Sequence, residues 1–272
     1  NALQDVSFTI EDGEMVGYIG PNGAGKSSTI KIMSGILTPD SGECVINGRV
    51  PWKERTAHVQ EIGVVFGQRS QLWWDVPVID SFELIRDIYK VEATSYKKTL
   101  SQLIELLHLS ELVKMPARQL SLGQRMRCEI AASLLHSPKI LFLDEPTIGL
   151  DAVSKLAVRE FIKTINRENK TTVLLTTHDM QDIEALTERI LLIGRGRLLL
   201  DGSLSELKTR GSAHRTLTVD YSGERLPAFA HMTVSRDLDG HAEIIIDTAF
   251  LTVSQAISYI SSVVEVLSLI HI

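Results

Sequence analysis

Gly20-Pro21-Asn22-Gly23-Ala24-Gly25-Lys26-Ser27-Ser28 matches G-x-x-x-x-G-K-[ST], the pattern of a loop that cradles phosphate. Its surroundings fit. Met15–Ile19 is a short apolar run of strand type, and Ser27–Ser34 reads as a helix with Ile30 and Met33 on one side. Strand, glycine-rich loop and helix is the order the motif needs. Gly20, Gly23 and Gly25 let the backbone curl with its N–H groups inward, and the positive end of the following helix adds to their field. Lys26 supplies a point charge for β- and γ-phosphates, and the Ser27 hydroxyl is placed to ligate Mg²⁺. A glycine-rich turn that matches by chance is the competing reading.

The 272 residues allow one large domain, or one domain plus a small one. A hydrophobic content of 44% with 23% charged residues is ordinary for a globular protein. A net charge of −6 gives no reason to propose nucleic acid or anionic lipid as a general partner. Cys44 and Cys128 form no metal or disulfide framework, so a reducing cytosol fits. No apolar stretch approaches the roughly 20 residues that span a bilayer.

Along the chain, Leu3, Val6, Phe8 and Ile10 suggest a strand ahead of Met15–Ile19. Cys44-Val45-Ile46 reads as a short strand before the hairpin-type turn Asn47-Gly48. Ile62–Phe66 reads as a buried strand. From about Asp80 to Ser137 the texture is helical: Leu100, Leu103, Ile104 and Leu107 share one face, and Met126, Ile130 and Leu134 mark another stripe. Ile140–Leu143 is an apolar strand. Helix returns over Ala152–Glu168, with Leu156, Phe161 and Ile165 expected inward, and Thr172–Thr176 is strand. Ile190–Ile193 and Leu198–Leu200 flank a hairpin turn, and Ser203-Leu204-Ser205-Glu206 is a capping box opening a helix. Beyond Gly211 the style changes. Strands over Thr216–Tyr221, Met232–Ser235 and Glu243–Ile246, a helix over Leu251–Ser261 and a strand over Ser262–Val266 predict a small α+β domain. The division is therefore 1–211, with a helical subdomain at about 80–137, then 212–266. Residues 267–272 equal one reading frame of a sequencing-library transposon end and are set aside as an artefactual tail; a terminal strand is the alternative.

A phosphate loop needs an acid to finish a metal site. Asp144 emerges at the carboxyl end of Ile140–Leu143, where open α/β sheets bind ligands. It would hold Mg²⁺ through water, leaving Glu145 to orient and deprotonate an attacking water. A helix N-terminus that happens to carry acidic residues is the plainer alternative.

With those residues in view, Leu120-Ser121-Leu122-Gly123-Gln124 resembles the LSGGQ signature of the ABC (ATP-binding cassette) ATPases. Gln68 resembles the family's Q-loop glutamine, Gly149-Leu150-Asp151 its D-loop and His178 its switch histidine. The motifs fall in the family's order over roughly residues 3–200. The resemblance implies an α/β P-loop NTPase fold: a RecA-like core, an antiparallel β subdomain and a helical subdomain. It implies ATP as ligand, bound by Gly20 through Ser28, with Ser27, Gln68 and Asp144 at Mg²⁺. Glu145, His178, Lys26 and Gln68 would be catalytic. In the family, Ser121, Gly123, Gln124 and Asp151 meet the nucleotide held by a second copy, so the site is composite. Taken singly, each residue has a bland reading: helix start, surface glutamine, structural histidine, N-cap aspartate.

Leu122 replaces a signature glycine, which is tolerable unless the position needs φ > 0. The family's first strand and adenine-stacking aromatic lie upstream of Asn1, outside this sequence; a stacking surface of about 1–3 kcal/mol is expected to be absent. The segment Phe66 to Asp75, with Trp73 and Trp74, resembles the ATPase subunits of ABC-2-type exporters of the drug and viologen branch. That implies a second ATPase subunit, identical or not, an ABC-2-type permease and the cytoplasmic membrane face. A soluble ABC protein of repair or translation, or a module that binds ATP without hydrolysing it, are the competing functions.

Overall fold

A computed structural model describes residues 2–67, 69–211, 214–222, 226, 229–238, 240–248 and 250–271, the side chains of 208–211, 214 and 269–271 excepted. It divides into two compact units, Asn1–Leu204 and Ser205–Ile272.

The first unit is built on a six-stranded sheet. Its strands are β1 (Met15–Ile19), β2 (Ile62–Phe66), β3 (Ile140–Asp144), β4 (Thr172–Thr177), β5 (Arg189–Gly194) and β6 (Arg197–Ser203), in spatial order β2-β3-β4-β1-β5-β6. All neighbours are parallel except β5 and β6, which form an antiparallel hairpin. Strands covered on both faces carry no polar side to alternate, which is why β1, β3 and β4 read as near-continuous apolar runs. Val16, Tyr18, Leu141, Phe142, Leu143 and Leu174 are at most 1% exposed.

Register decides what this sheet can do. Phe66, Asp144, Thr176 and Tyr18 stand side by side across β2, β3, β4 and β1. The segments that leave those strands therefore start from one edge, the carboxyl end. Helix α1 (Lys26–Met33) follows β1, and α7 (Met180–Leu186) follows β4. The helical region is α3 (Val78–Tyr89), α4 (Ala93–Leu106) and α5 (Leu122–Leu134), preceded by the short α2 (Arg55–Val59) and joined by 3₁₀ turns. Leu103 and Leu107 are buried, as are Met126, Ile130 and Leu134, matching the expected stripes.

Four sequence expectations are corrected. Leu3, Val6, Phe8 and Ile10 do pack against the sheet core, half-buried. Their backbone makes isolated bonds such as Gln4 N–H to Gly196 O (2.7 Å) rather than a ladder, and alternation without a paired neighbour is not a strand. Cys44 and Val45 are not strand either; a single bridge joins Ile46 to Arg49 around Asn47 (φ 49°) and Gly48 (φ 75°). Leu156, expected inward on α6 (Ala152–Asn169), is 58% exposed. The buried stripe there is Val158, Phe161, Ile162 and Ile165, and Leu156 lies about 140° round the helix from Phe161 at 100° per residue.

The boundary falls after the first residue of α8 (Leu204–Gly211), and the second unit continues with β7 (His214–Ser222), β8 (Met232–Leu238), β9 (His241–Asp247), α9 (Val253–Val263) and β10 (Glu265–His271). Its antiparallel sheet runs β10-β7-β9-β8. Leu217, Val219 and Tyr221 alternate inward with Ala242, Ile244 and Ile246 to meet Ala256 and Ile260 of α9. The fourth correction lies here: Ser262 and Val263 end the helix, and the last strand starts at Glu265. Ala256, Ile260 and Val264 keep a four-residue apolar step going, which overrides the strand preference of the two valines. Residues 267–271 lie within β10, and 268–271 pair with β7 after a register shift at Leu267.

Candidate functional site

The glycine-rich loop joins β1 to α1. Gly25 sits at the helix N-cap with φ 114°, a conformation that side chains rarely adopt. Helix α1 starts at Lys26, so its unpaired N–H groups point back into the loop. Lys26 is buried, and its ammonium donates to Gly20 O (2.7 Å) and Pro21 O (3.2 Å). The charge is thus held at the centre of the curled backbone. Ser27 lies exposed on the first turn.

Beside it, β3 delivers two carboxylates with different fates. Thr176, opposite Asp144 on β4, donates its hydroxyl to Asp144 Oδ1 (2.6 Å). Thr176 Oγ1 in turn accepts the Glu145 N–H (3.1 Å), which is shared with the Thr176 carbonyl (3.1 Å). Glu145 has φ 56°, a left-handed backbone costing roughly 1–2 kcal/mol for a residue with a Cβ. The two bonds to Thr176 hold it there. His178 Nδ1–H donates to Glu145 Oε2 (2.9 Å). Lys26, Asp144, Glu145 and His178 therefore gather at the ends of three adjacent strands, β3, β4 and β1.

Ser121, Gly123, Gln124 and Asp151 form a second cluster. Ser121 and Gln124 make a reciprocal capping box at the start of α5. Asp151 caps α6 through Ser154 N–H (2.9 Å) and Ser154 Oγ (2.7 Å), and these bonds hold its carboxyl below the usual range. A Cβ on Gly123 would stand 2.3 Å from Ser154 Oγ and 2.7 Å from Ser154 Cβ, so glycine is what lets the two helix starts touch. Replacement of Gly123 by alanine is expected to lower stability by about 1–3 kcal/mol through overpacking; an unchanged thermal midpoint would contradict this. Leu122 begins α5 and is not among the residues with positive φ, so the condition for tolerating it is met. Among the described residues no hydrogen bond links this second cluster to Lys26, Glu145 or His178. Gln68 lies outside the described residues.

Several residues escaped the sequence reading. Thr176 orients the Asp144 carboxylate and holds the Glu145 backbone N–H; a threonine near the end of an apolar strand is the available signal. Glu129, in the middle of α5, is 4% exposed and accepts from Ser70 Oγ and, at 3.1 Å, from Gln71 N–H. Burial pushes its carboxyl upward against those bonds. It fastens the loop that carries Trp73 and Trp74, which are 55% and 51% exposed, with the Arg125 guanidinium 5.8 Å from the Trp74 ring centre.

A family profile described as ABC transporter matches residues 3–148. The linearmycin resistance ATP-binding protein LnrL of Bacillus subtilis (strain 168) is 33% identical over 221 residues, 81% of this chain and 70% of that protein. The ABC transporter ATP-binding protein NatA of the same strain is 32% identical over 206 residues, 76% and 83% of the two chains. Among solved structures, the ATP-binding cassette MJ0796, as a dimer in a post-hydrolysis state bound to ADP and Pi, superposes with a TM-score of 0.67. It is 28% identical, and the match covers 75% of this chain and 90% of that one.

Proposed function

The chain belongs to the ABC transporter family, as an ATP-binding and ATP-hydrolysing subunit, and from that premise we propose that two such subunits close around ATP to drive an ABC-2-type exporter. The observation that carries the catalytic part is the 2.9 Å contact between Glu145 and His178, set beside a phosphate loop at the same sheet edge.

The loop N–H groups of residues 20–28 and the start of α1 bind the phosphates. Lys26 turns its ammonium from the loop carbonyls to the β- and γ-phosphates. Glu145 aligns a water and takes its proton, using the oxygen that His178 does not occupy. His178 donates Nδ1–H to Glu145, and a second proton on Nε2 would let it donate to a γ-phosphate oxygen as well. Gln68, assigned on sequence alone, completes the site. Ser27 and Asp144 are hard oxygen donors that suit Mg²⁺ shared with phosphate and water. When bound, the ion would neutralise phosphate charge.

Ser121, Gly123, Gln124 and Asp151 serve the nucleotide of the other copy. Supporting this, Leu122, Val153 and Leu156 are 38%, 77% and 58% exposed at the starts of α5 and α6, an apolar rim around that cluster. The partner copy is identical or a paralogue. Trp73 and Trp74 form the socket for a cytoplasmic helix of the permease, since exposed aromatics are typical interface anchors. Among the described residues no helix is long and apolar enough to cross a membrane. On the exporter reading the subunit meets the bilayer's cytoplasmic face through that permease.

Co-purification with a polytopic membrane protein tests the assignment; recovery with ribosomes or DNA instead would reject it. Replacing Trp74 by alanine is expected to leave basal phosphate release within about twofold while transport falls by roughly tenfold or more, in line with loss of an aromatic anchor. Unchanged efflux with normal assembly would remove Trp74 from the socket.

A further inference from the structure

Glu145 and His178 come from different strands, so something must fix their separation. Behind them lies a buried ionic cluster. Asp182, on α7, is 0% exposed. It accepts hydrogen bonds from Thr147 Oγ1, from Thr177 Oγ1 (3.1 Å) and from Arg159 Nε (2.6 Å), and Arg159 Nη2 stands within ion-pair range of the same carboxylate oxygen. Thr147, Thr177 and Arg159 are 2%, 2% and 8% exposed.

The connections run to both halves of the dyad. Thr147 stands two residues after Glu145, and Ile148 N–H bonds the Glu145 carbonyl (3.3 Å). Thr177 and Asp179 flank His178, and Asp179 N–H donates to Thr177 Oγ1 (3.0 Å). Asp179 in turn accepts from Lys155 (2.6 Å), one turn before Arg159 on α6. A charge buried this fully keeps its geometry because losing any partner leaves it unpaired.

We propose that the Asp182–Arg159 pair, with Thr147 and Thr177, is a positioning element for ATP hydrolysis that sets the contact between Glu145 and His178. The inference rests on the catalytic reading of those two residues. Asp182 itself touches neither ATP nor water. Because Asp151 is the N-cap of α6, the same pair ties the dyad to the helix start that carries Asp151 of the second cluster.

The test uses Thr147→Val in the full chain, since the swap keeps the shape and removes one hydroxyl. Phosphate release is measured per folded molecule, alone and combined with His178→Ala. Losing one bond to a buried carboxylate is expected to lower kcat about fivefold or more, with KM for ATP within about twofold. Thr147→Ser, which restores the hydroxyl, regains the rate. In the His178→Ala background there is no contact left to set, so Thr147→Val costs nothing further. A purely structural role would lower the thermal midpoint of Thr147→Val and leave kcat per folded molecule unchanged, and that result overturns the proposal. So does an equal loss with and without His178. A His178→Ala chain that hydrolyses at the parent rate would instead reject the reading of His178, and this inference with it.

Discussion

Replacing Glu145 by glutamine is expected to lower phosphate release by about 10²–10⁴-fold, the usual worth of a positioned general base. ATP should still bind, and two copies should remain joined by it. The amide has the size of the carboxylate, and its oxygen still accepts from His178 Nδ1 (2.9 Å in the parent). The backbone at φ 56° is held by Thr176 and does not depend on the side chain's charge. What is lost is the ability to take a proton from water. Size-exclusion chromatography with ATP, run beside a phosphate-release assay, reads both effects. Near-normal turnover would remove Glu145 as the base; lost turnover without an ATP-held dimer would break the composite-site reading.

The residues legible in the sequence are those whose chemistry is local. The loop from Gly20 to Ser28 declares itself because glycines, lysine and serine must sit at fixed spacing on one turn. Asp144 and Glu145 are legible because an apolar run ends on them. Their surroundings are not, because these come from strands and helices far apart in the chain. Thr176 meets Asp144 across 32 residues, Thr147 meets Asp182 across 35, and Glu129 meets Ser70 across 59. No spacing rule joins such pairs until the order β2-β3-β4-β1 is known. Elements failed for a related reason. Residues 3–10 alternate as a strand should, yet strand is a property of a pair. Apolar character alone puts Leu156 inward, whereas the helix period puts Val158, Phe161, Ile162 and Ile165 on the buried side and leaves it on the rim.

Lys26→Ala is expected to act on the opposite side of the reaction, at binding. Lys26 is 6% exposed, and its ammonium makes two bonds to loop carbonyls. On our reading it exchanges these for phosphate oxygens, where charge-assisted bonds contribute about 1.5–3 kcal/mol each. Two such bonds correspond to roughly a hundredfold or more in affinity. Alanine also leaves Gly20 O and Pro21 O without that donor, so the variant should melt somewhat lower even without nucleotide. The diagnostic quantity is the rise in melting temperature on adding ATP, because a ligand stabilises the fold in proportion to the logarithm of its saturation. That rise should persist in Glu145→Gln and largely vanish in Lys26→Ala at the same ATP concentration. Arginine should not restore it, since a planar fork replaces a compact charge in a ring sized for one ammonium. If Lys26→Ala kept the full ATP-dependent rise and lost only turnover, the lysine would stabilise the transition state alone. The loop N–H groups and the N-terminus of α1 would then account for the ground-state hold on phosphate.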